Sequence, residues 1–340
     1  MTLSAGQPAA RLAVVGLGAQ GSSISRLALD LGHELLGGVE VGAKVGRPLG
    51  EFVDHPRVPD STIFGSIEEL IAQAGEPDVV ALAALIPTAA TAELAAGLLR
   101  RGINVLTLDA ELFEGQGPFA DSLQAAGEAG GASIVSTGMQ DTWWVHLPAV
   151  AAAGNHRITS VEMDDVANCG RFSQEVGLHE AGLGLAVSDF AAWAEPVLAA
   201  PPVQGAPLRE LARLLGFTPG ETSYEITPII HDTPTDWFVP EIMLEPGRVA
   251  GARFVVSFPT EEGPTFTGNL RFEILDASAF SKDSFTIHGE VDTVVELPGF
   301  SARLYVPMGL VRRIPDVIAA RPGFVRTTEL PPGRYTHTVH

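Results

Sequence analysis

Cysteine and lysine are nearly missing from this chain. Cys169 is the one cysteine in 340 residues, which excludes an internal disulfide and leaves no Cys/His cluster at zinc-ligand spacing, so no metal is expected. A reducing cytoplasm fits that usage. Lysine occurs only as Lys44 and Lys282, and the 21 basic residues stand against 41 acidic ones for a formal net charge of −20. Nucleic acids and anionic membrane surfaces select basic patches, so neither is an expected partner. Long apolar runs are also absent. The longest, around Val79 to Ile86, falls far short of the ~20 residues a membrane span needs. Met1 to Ala10 carries neither a basic n-region nor an apolar h-region, so no secretory signal is expected. A soluble, cytoplasmic protein is the expectation.

Glycine is plentiful and, at one place, patterned. An apolar run from Leu12 to Val15 feeds into Gly16-Leu17-Gly18-Ala19-Gln20-Gly21, and a helix-like stretch follows from Ser22 to Leu31. A buried strand ending in this spacing turns tightly, approaches a pyrophosphate and aims a helix N-terminus at its charge. A second strand, Glu34 to Val39, ends in Glu40, about 20 residues after the glycines, where an acid hydrogen-bonds the adenosine ribose hydroxyls. Dinucleotide binding is therefore expected through Gly16, Gly18, Ala19, Gln20, Gly21 and Glu40. Glu40 repels a ribose 2′-phosphate and favours NAD over NADP; Lys44 and Arg47 lie near enough to reach one, so NADP stays open.

The fold class expected is α/β. From Arg11 to about Ile134, short apolar runs alternate with helix-like segments, the pattern of a doubly wound parallel (Rossmann) sheet. Strands are predicted at 12–15, 34–39, 78–85, 104–108 and 133–136, and helices at 22–31, 66–73, 89–100 and 118–129. Ligands in such sheets bind outside the carboxyl ends of the strands, which places Ile86-Pro87-Thr88, Asp109-Ala110-Glu111 and Thr137 to Asp141 on the working edge. Beyond Asp141, strand-like stretches at 158–165, 224–230, 249–258, 265–275 and 284–290 predict an α+β domain on an open, mostly antiparallel sheet, with helices near 185–199 and 208–215. The division expected is a dinucleotide-binding domain over residues 1–140, a substrate-binding and dimerisation domain over 141–309, and a C-terminal helix and tail over 310–340 that packs back on the first.

These segments together resemble the dihydrodipicolinate-reductase-like superfamily, and within it 2,4-diaminopentanoate dehydrogenase and the native NAD(P)H-dependent amine dehydrogenases. The likeness is carried by Val15 to Gly21, Lys44 to Gly50, Asn104 to Leu112, Ser136-Thr137-Gly138, Gly247 to Gly251, and Ile314-Pro315 through Arg321-Pro322-Gly323. It implies an oxidoreductase that reduces an imine formed from a ketone or aldehyde and ammonia, or runs the reverse oxidation, in a homodimer formed through the second-domain sheet. It also implies a glutamate at the turn after the 104–108 strand that orients ammonia or polarises the amine. The acidic pair of that turn aligns with Ala110 and Glu111, so one acid is missing here. Gly138 to Trp144 replaces the usual asparagine-proline-glycine turn, and Arg312-Arg313 stands where an asparagine and a small residue are usual.

Hydride transfer needs a stacked acceptor and one group that supplies or removes a proton. With two lysines, one at the adenosine end and one in a polar loop, a catalytic lysine is not expected. The histidine-lysine motif of dihydrodipicolinate reductase and the glutamate-lysine-proline motif of sugar-type relatives are absent. Carboxylates remain: Glu111, where burial beside an apolar turn would raise its pKa, with Asp109 as the reserve. Glu111 could instead cap or open a short helix at Leu112-Phe113. Pro87 and Thr88 are expected at the cofactor, and Gly138, Gln140, Trp143, Trp144, Asn168, Arg171 and His179 at the substrate. Asp141 is expected to cap a helix over 142–153, with His146 on its surface. A carbonyl reductase on the same scaffold and a non-catalytic nucleotide-binding protein are the alternatives.

Overall fold

The computed structural model describes residues 9–172, 174–199, 205–237, 241–276 and 279–335, except the side chains of Arg171, Glu175 and Ala199. The chain divides into two compact units, Met1–His146 with Ala302–His340, and Leu147–Ser301. The first unit opens with β1 (Arg11–Val15), α1 (Ala19–Asp30), β2 (Glu34–Val39), α2 (Ile67–Ala74), β3 (Val79–Leu82), α3 (Thr88–Arg100), β4 (Asn104–Thr107), α4 (Gly117–Gly130) and β5 (Ser133–Ser136). The second contains α5 (Leu147–Ala152), β6 (Ser160–Asn168), α6 (Gln174–Ala181), α7 (Phe190–Ala199), α8 (Gly205–Leu214), β7 (Ser223–Ile230), β8 (Thr235–Trp237), β9 (Ile242–Leu244), β10 (Val249–Pro259), β11 (Thr265–Glu273), β12 (Ser281–His288) and β13 (Thr293–Phe300). The chain then returns to the first unit as α9 (Ala302–Arg312), α10 (Ile314–Ala319) and β14 (Gly323–Phe324).

In the first unit the strands lie in the order β14-β5-β4-β3-β1-β2, all parallel. Parallel strands are covered on both faces, which is why they read as unbroken apolar runs. Leu12 and Val14 of β1 pack with Ile24 and Leu27 of α1 and with Leu310, Ile314 and Val317 of the returning segment. Ala13 points the other way, into a layer built from Leu70, Ala95, Leu99 and Leu123 of α2, α3 and α4. The return to this sheet adds a sixth strand, β14, beside β5. Helix α9 starts at Ala302, earlier than the sequence pattern suggests, because Pro307 lies inside it and reads as a breaker.

The second unit is built on the order β13-β12-β6-β11-β10-β7. Only the β6–β11 pair is parallel; the other four are antiparallel. Alternation is strict where one face is covered: Val161, Met163 and Asp165 of β6 are buried, while Glu162 and Asp164 between them are exposed. Strand β13 was not expected from sequence. Its pattern, Thr293 to Phe300, is broken by Pro298-Gly299 and lies at a sheet edge, where such residues are tolerated. No helix among the described residues is long and apolar enough to cross a membrane, and none of their His, Cys, Asp and Glu side chains group as a metal site.

Candidate active site

Three glycines make the turn after β1, each for its own reason. Gly16 has φ +90°, and a Cβ there would lie 2.5 Å from the Ala84 backbone nitrogen. A Cβ on Gly21 would lie 1.7 Å from the Gly16 carbonyl oxygen, so α1 can sit this close to the strand only with glycine at that position. Gly18 is different: nothing lies within 4 Å of where its Cβ would be. It is the N-cap of α1 and no side chain caps this helix, nor is there an acid in its first turn. The free N–H groups of Ala19, Gln20 and Gly21 therefore open beside empty space, the arrangement an anionic pyrophosphate fits. Leu85 is 87% exposed and Val41 78%; both flank this edge of the sheet and offer apolar surface to a nucleoside.

Glu40 follows β2 by one residue and folds back over the glycine turn. Its Oε1 accepts the Leu17 N–H at 3.1 Å and Lys44 Nζ at 2.8 Å, and its Oε2 accepts the Val41 N–H at 3.0 Å. Burial raises the carboxyl's pKa, but Lys44 and the two backbone donors outweigh it and hold the group below the usual carboxylate range. Glu40 is thus an ionised acceptor folded over the glycine turn, with a cation attached that the spacing alone did not reveal.

Asp109 sits between three elements. Its Oδ1 accepts the Thr88 hydroxyl at 3.2 Å and the Glu111 N–H at 3.1 Å; its own N–H donates to Thr107 Oγ1, and its carbonyl accepts from Ser136 Oγ at 2.6 Å. It caps the short 3-10 helix Ala110–Leu112. Glu111 is exposed, and its carboxylate has no partner among the described residues. Pro87 is the N-cap of α3 and Thr88 its first residue, so Thr88 joins the loop after β3 to the acid turn. Both acids expected at the working edge are there, one locked and one free to move.

Beyond β5 the helical run contains a π-helical segment, Asp141–His146, continued by α5. Gly138 lies where the Gly309 backbone approaches: a Cβ on Gly309 would be 2.3 Å from the Gly138 carbonyl oxygen. Gln140 and Trp144 are buried, and Trp143 packs on Tyr305 with ring centroids 5.5 Å apart.

Asp141, expected as a cap, lies inside the helical run, which begins at Met139. It and Arg313 are each 1% exposed, joined by Arg313 Nε to Oδ2 at 2.5 Å and Nη2 to Oδ1 at 2.7 Å. Thr137 Oγ1 donates to Oδ2 at 2.9 Å, and Arg313 Nη1 reaches Asp316 and the Pro331 carbonyl. His146, expected on the surface, is instead buried, with Nε2 3.1 Å from the Thr327 carbonyl and 3.3 Å from Asp141 Oδ1. Burial lowers its pKa despite Asp141 nearby, so the ring is neutral and donates through Nε2. The reason for the difference is the C-terminal segment, whose carbonyls cover this helix and turn a surface histidine into a tether.

Within the second unit, Asn168 uses its whole amide on backbone groups. Nδ2 donates to the carbonyls of Asp276 and Ala279, and Oδ1 accepts from Gly170 and Leu275. His179 is exposed beside Glu180 at 3.2 Å. The Arg171 side chain lies outside the described residues.

No protein-family model matches the chain, and no curated protein matches it in sequence. Solved structures do. An amine dehydrogenase from Mycobacterium smegmatis is 27% identical over 97% of this chain and 98% of its own, with a TM-score of 0.87. Dihydrodipicolinate reductase from Paenisporosarcina sp. TG-14, solved with dipicolinate, superimposes over 95% and 99% of the two chains at TM-score 0.52 and 12% identity. The chain shares its fold with both structures. GenD2 of gentamicin A biosynthesis, solved in complex with NAD, shares the fold over 95% of this chain and 90% of its own (TM-score 0.58, 15% identity).

Proposed function

We propose that this protein is a nicotinamide-dependent amine dehydrogenase, interconverting an amine with a ketone or aldehyde plus ammonia. An oxidoreductase is the coarser statement that the fold relatives support, and the amine chemistry rests on the 27% identical, full-length likeness to the mycobacterial amine dehydrogenase. One observation in this chain carries the reading: a carboxylate pair, Asp109 and Glu111, at the carboxyl end of β4, on the same sheet edge as an uncapped helix N-terminus at the end of β1.

The dinucleotide, when bound, supplies hydride to the carbon that carries nitrogen, or takes it away. The N–H groups of Ala19, Gln20 and Gly21 would hold the pyrophosphate and Glu40 the adenosine ribose, with Pro87 and Thr88 bordering the site. Asp109 fixes the turn through Thr88 and the Glu111 N–H. Glu111, unpartnered, orients ammonia or the substrate amine and holds its proton. Gly138, Gln140, Trp143 and Trp144 wall the pocket, and the aromatic pair Trp143–Tyr305 favours an apolar substituent.

A homodimer through the open face of the second-unit sheet goes with this reading. The strand register lines up Arg253, Arg271 and Lys282 in one row, and Glu225, Asp164 and Glu296 in the next. A two-fold axis between the rows lays each basic row on the partner's acidic one. The lone, buried Cys169 is consistent with a cytoplasmic setting.

The test is NADH and NADPH oxidation with a panel of ketones and aldehydes, with and without high ammonium at alkaline pH. Ammonium-dependent oxidation is expected, with Glu111→Gln lowering kcat by about 10²-fold or more and Asp109→Asn lowering it less. Ketone reduction without ammonium would move the assignment to carbonyl chemistry.

A further inference from the structure

Lys44 is one of two lysines in a strongly acidic chain, and it lies on the acid that reads the adenosine ribose. Its Nζ is 2.8 Å from Glu40 Oε1 and 3.0 Å from the Leu17 carbonyl. A bare carboxylate at this position excludes a 2′-phosphate by like charge. Here the charge is matched at the contact itself, and Oε2, which accepts only the Val41 N–H, remains open to a ribose hydroxyl.

The lysine also has somewhere to go. It ends the exposed 3-10 turn Gly42–Lys44, between Gly42 (φ +68°) and Gly46 (φ +81°), and nothing lies within 4 Å of either glycine's Cβ position. Phe52 lies beside it, with Lys44 Nζ 5.7 Å and the Arg47 guanidinium 4.7 Å from its ring centroid. The two cations differ in their ties. Arg47 is held by its own acid, Glu51, with Nε 3.0 Å from Oε2, whereas among the described residues Lys44 pairs with Glu40 alone.

We infer that Lys44 makes this ribose site bispecific: it stays on Glu40 when the ribose has a free 2′-hydroxyl, and turns to the phosphate when the ribose carries one. The inference rests on the dinucleotide reading of the glycine turn. Lys44 is the specificity-determining residue, because it is the cation whose release leaves a ribose acceptor behind and no stranded acid in the core; Glu40 is only partly buried. Arg47 contributes background charge.

The test is the Kd of NADH and NADPH by fluorescence titration of the full chain, for wild type, Lys44→Ala, Arg47→Ala and Lys44→Ala/Glu40→Gln, with thermal unfolding as the folding control. Wild type is expected to bind both within about tenfold. Lys44→Ala should weaken NADPH about 10- to 100-fold, the loss of one charge-assisted contact plus exposure of Glu40, and change NADH less than about threefold. Adding Glu40→Gln should recover part of the NADPH loss. Equal effects on both nucleotides, an unchanged NADPH affinity, or a loss carried by Arg47→Ala instead would overturn the inference while leaving nucleotide binding intact. Absence of binding to either nucleotide in the folded wild type would overturn the site reading and this inference with it.

Discussion

Replacing Asp165 with asparagine should stabilise the second unit, and by more as the pH rises. Asp165 of β6 and Asp283 of β12 are direct register partners on the covered face of the sheet, 3% and 4% exposed. Two carboxyls held side by side away from water cannot both ionise. Asp165 Oδ1 has no hydrogen-bond partner among the described residues, and burial, with Asp283 adding to it, pushes the Asp165 carboxyl well above the carboxylate range. In the unfolded chain it titrates near 3.9. Between that value and the raised folded one, the folded chain holds one more proton than the unfolded chain. Stability therefore falls as pH rises through this window, by about 1.4 kcal/mol per pH unit. Asparagine keeps the shape and removes the titration. For a unit of this size, 1 kcal/mol moves Tm by about 2–4 °C, so the difference between variant and wild type should widen by roughly 3–5 °C per pH unit. Calorimetry from pH 4 to 9 reads it, with Glu261→Gln, exposed in the turn between β10 and β11, as the control. A Tm difference constant across pH would refute the shared-proton argument, as would a variant that melts lower throughout.

The remaining predictions concern the first unit and the sheet face. Asp141→Asn strands Arg313 in the core and should cost about 3–5 kcal/mol in chemical denaturation, as for other broken buried pairs. Gly21→Ala puts a methyl 1.7 Å from the Gly16 carbonyl oxygen, so both Tm and NADH binding should drop. Gly18→Ala meets no neighbour and should keep its Tm while losing affinity, a contrast that titration and melting on the same samples will show. Charge reversal of the basic row by Arg253→Glu/Arg271→Glu places acids over acids and should convert a dimer to monomer in sedimentation at low salt; an unchanged mass would remove that face as the interface.

What the sequence made legible is what short-range physics dictates. A parallel strand buried on both faces must be apolar throughout, and a turn that approaches a phosphate must be glycine, so β1, the three glycines and the acid after β2 were readable within a window of 30 residues. Strands β2 and β5 came out at their observed bounds for the same reason. The features that escaped depend on partners far along the chain. Asp141 and His146 read as a helix cap and a surface residue because their partners, Arg313 and the Thr327 carbonyl, lie 172 and 181 positions away. Charge defaults to solvent in any local reading, and only the returning segment makes burial of this pair possible. The same limit separates the two candidate acids. Sequence put Asp109 and Glu111 on one turn and preferred Glu111 by location, with no partner in view to separate their roles. The fold distinguishes them by occupancy: Thr88, from another strand's loop, takes the inner oxygen of Asp109, and that bond turns one acid into scaffold and leaves the other its freedom. If Glu111 is the acid that meets the amine, Thr88→Ala should loosen the turn and lower kcat without abolishing it, and Thr88→Ser should restore it.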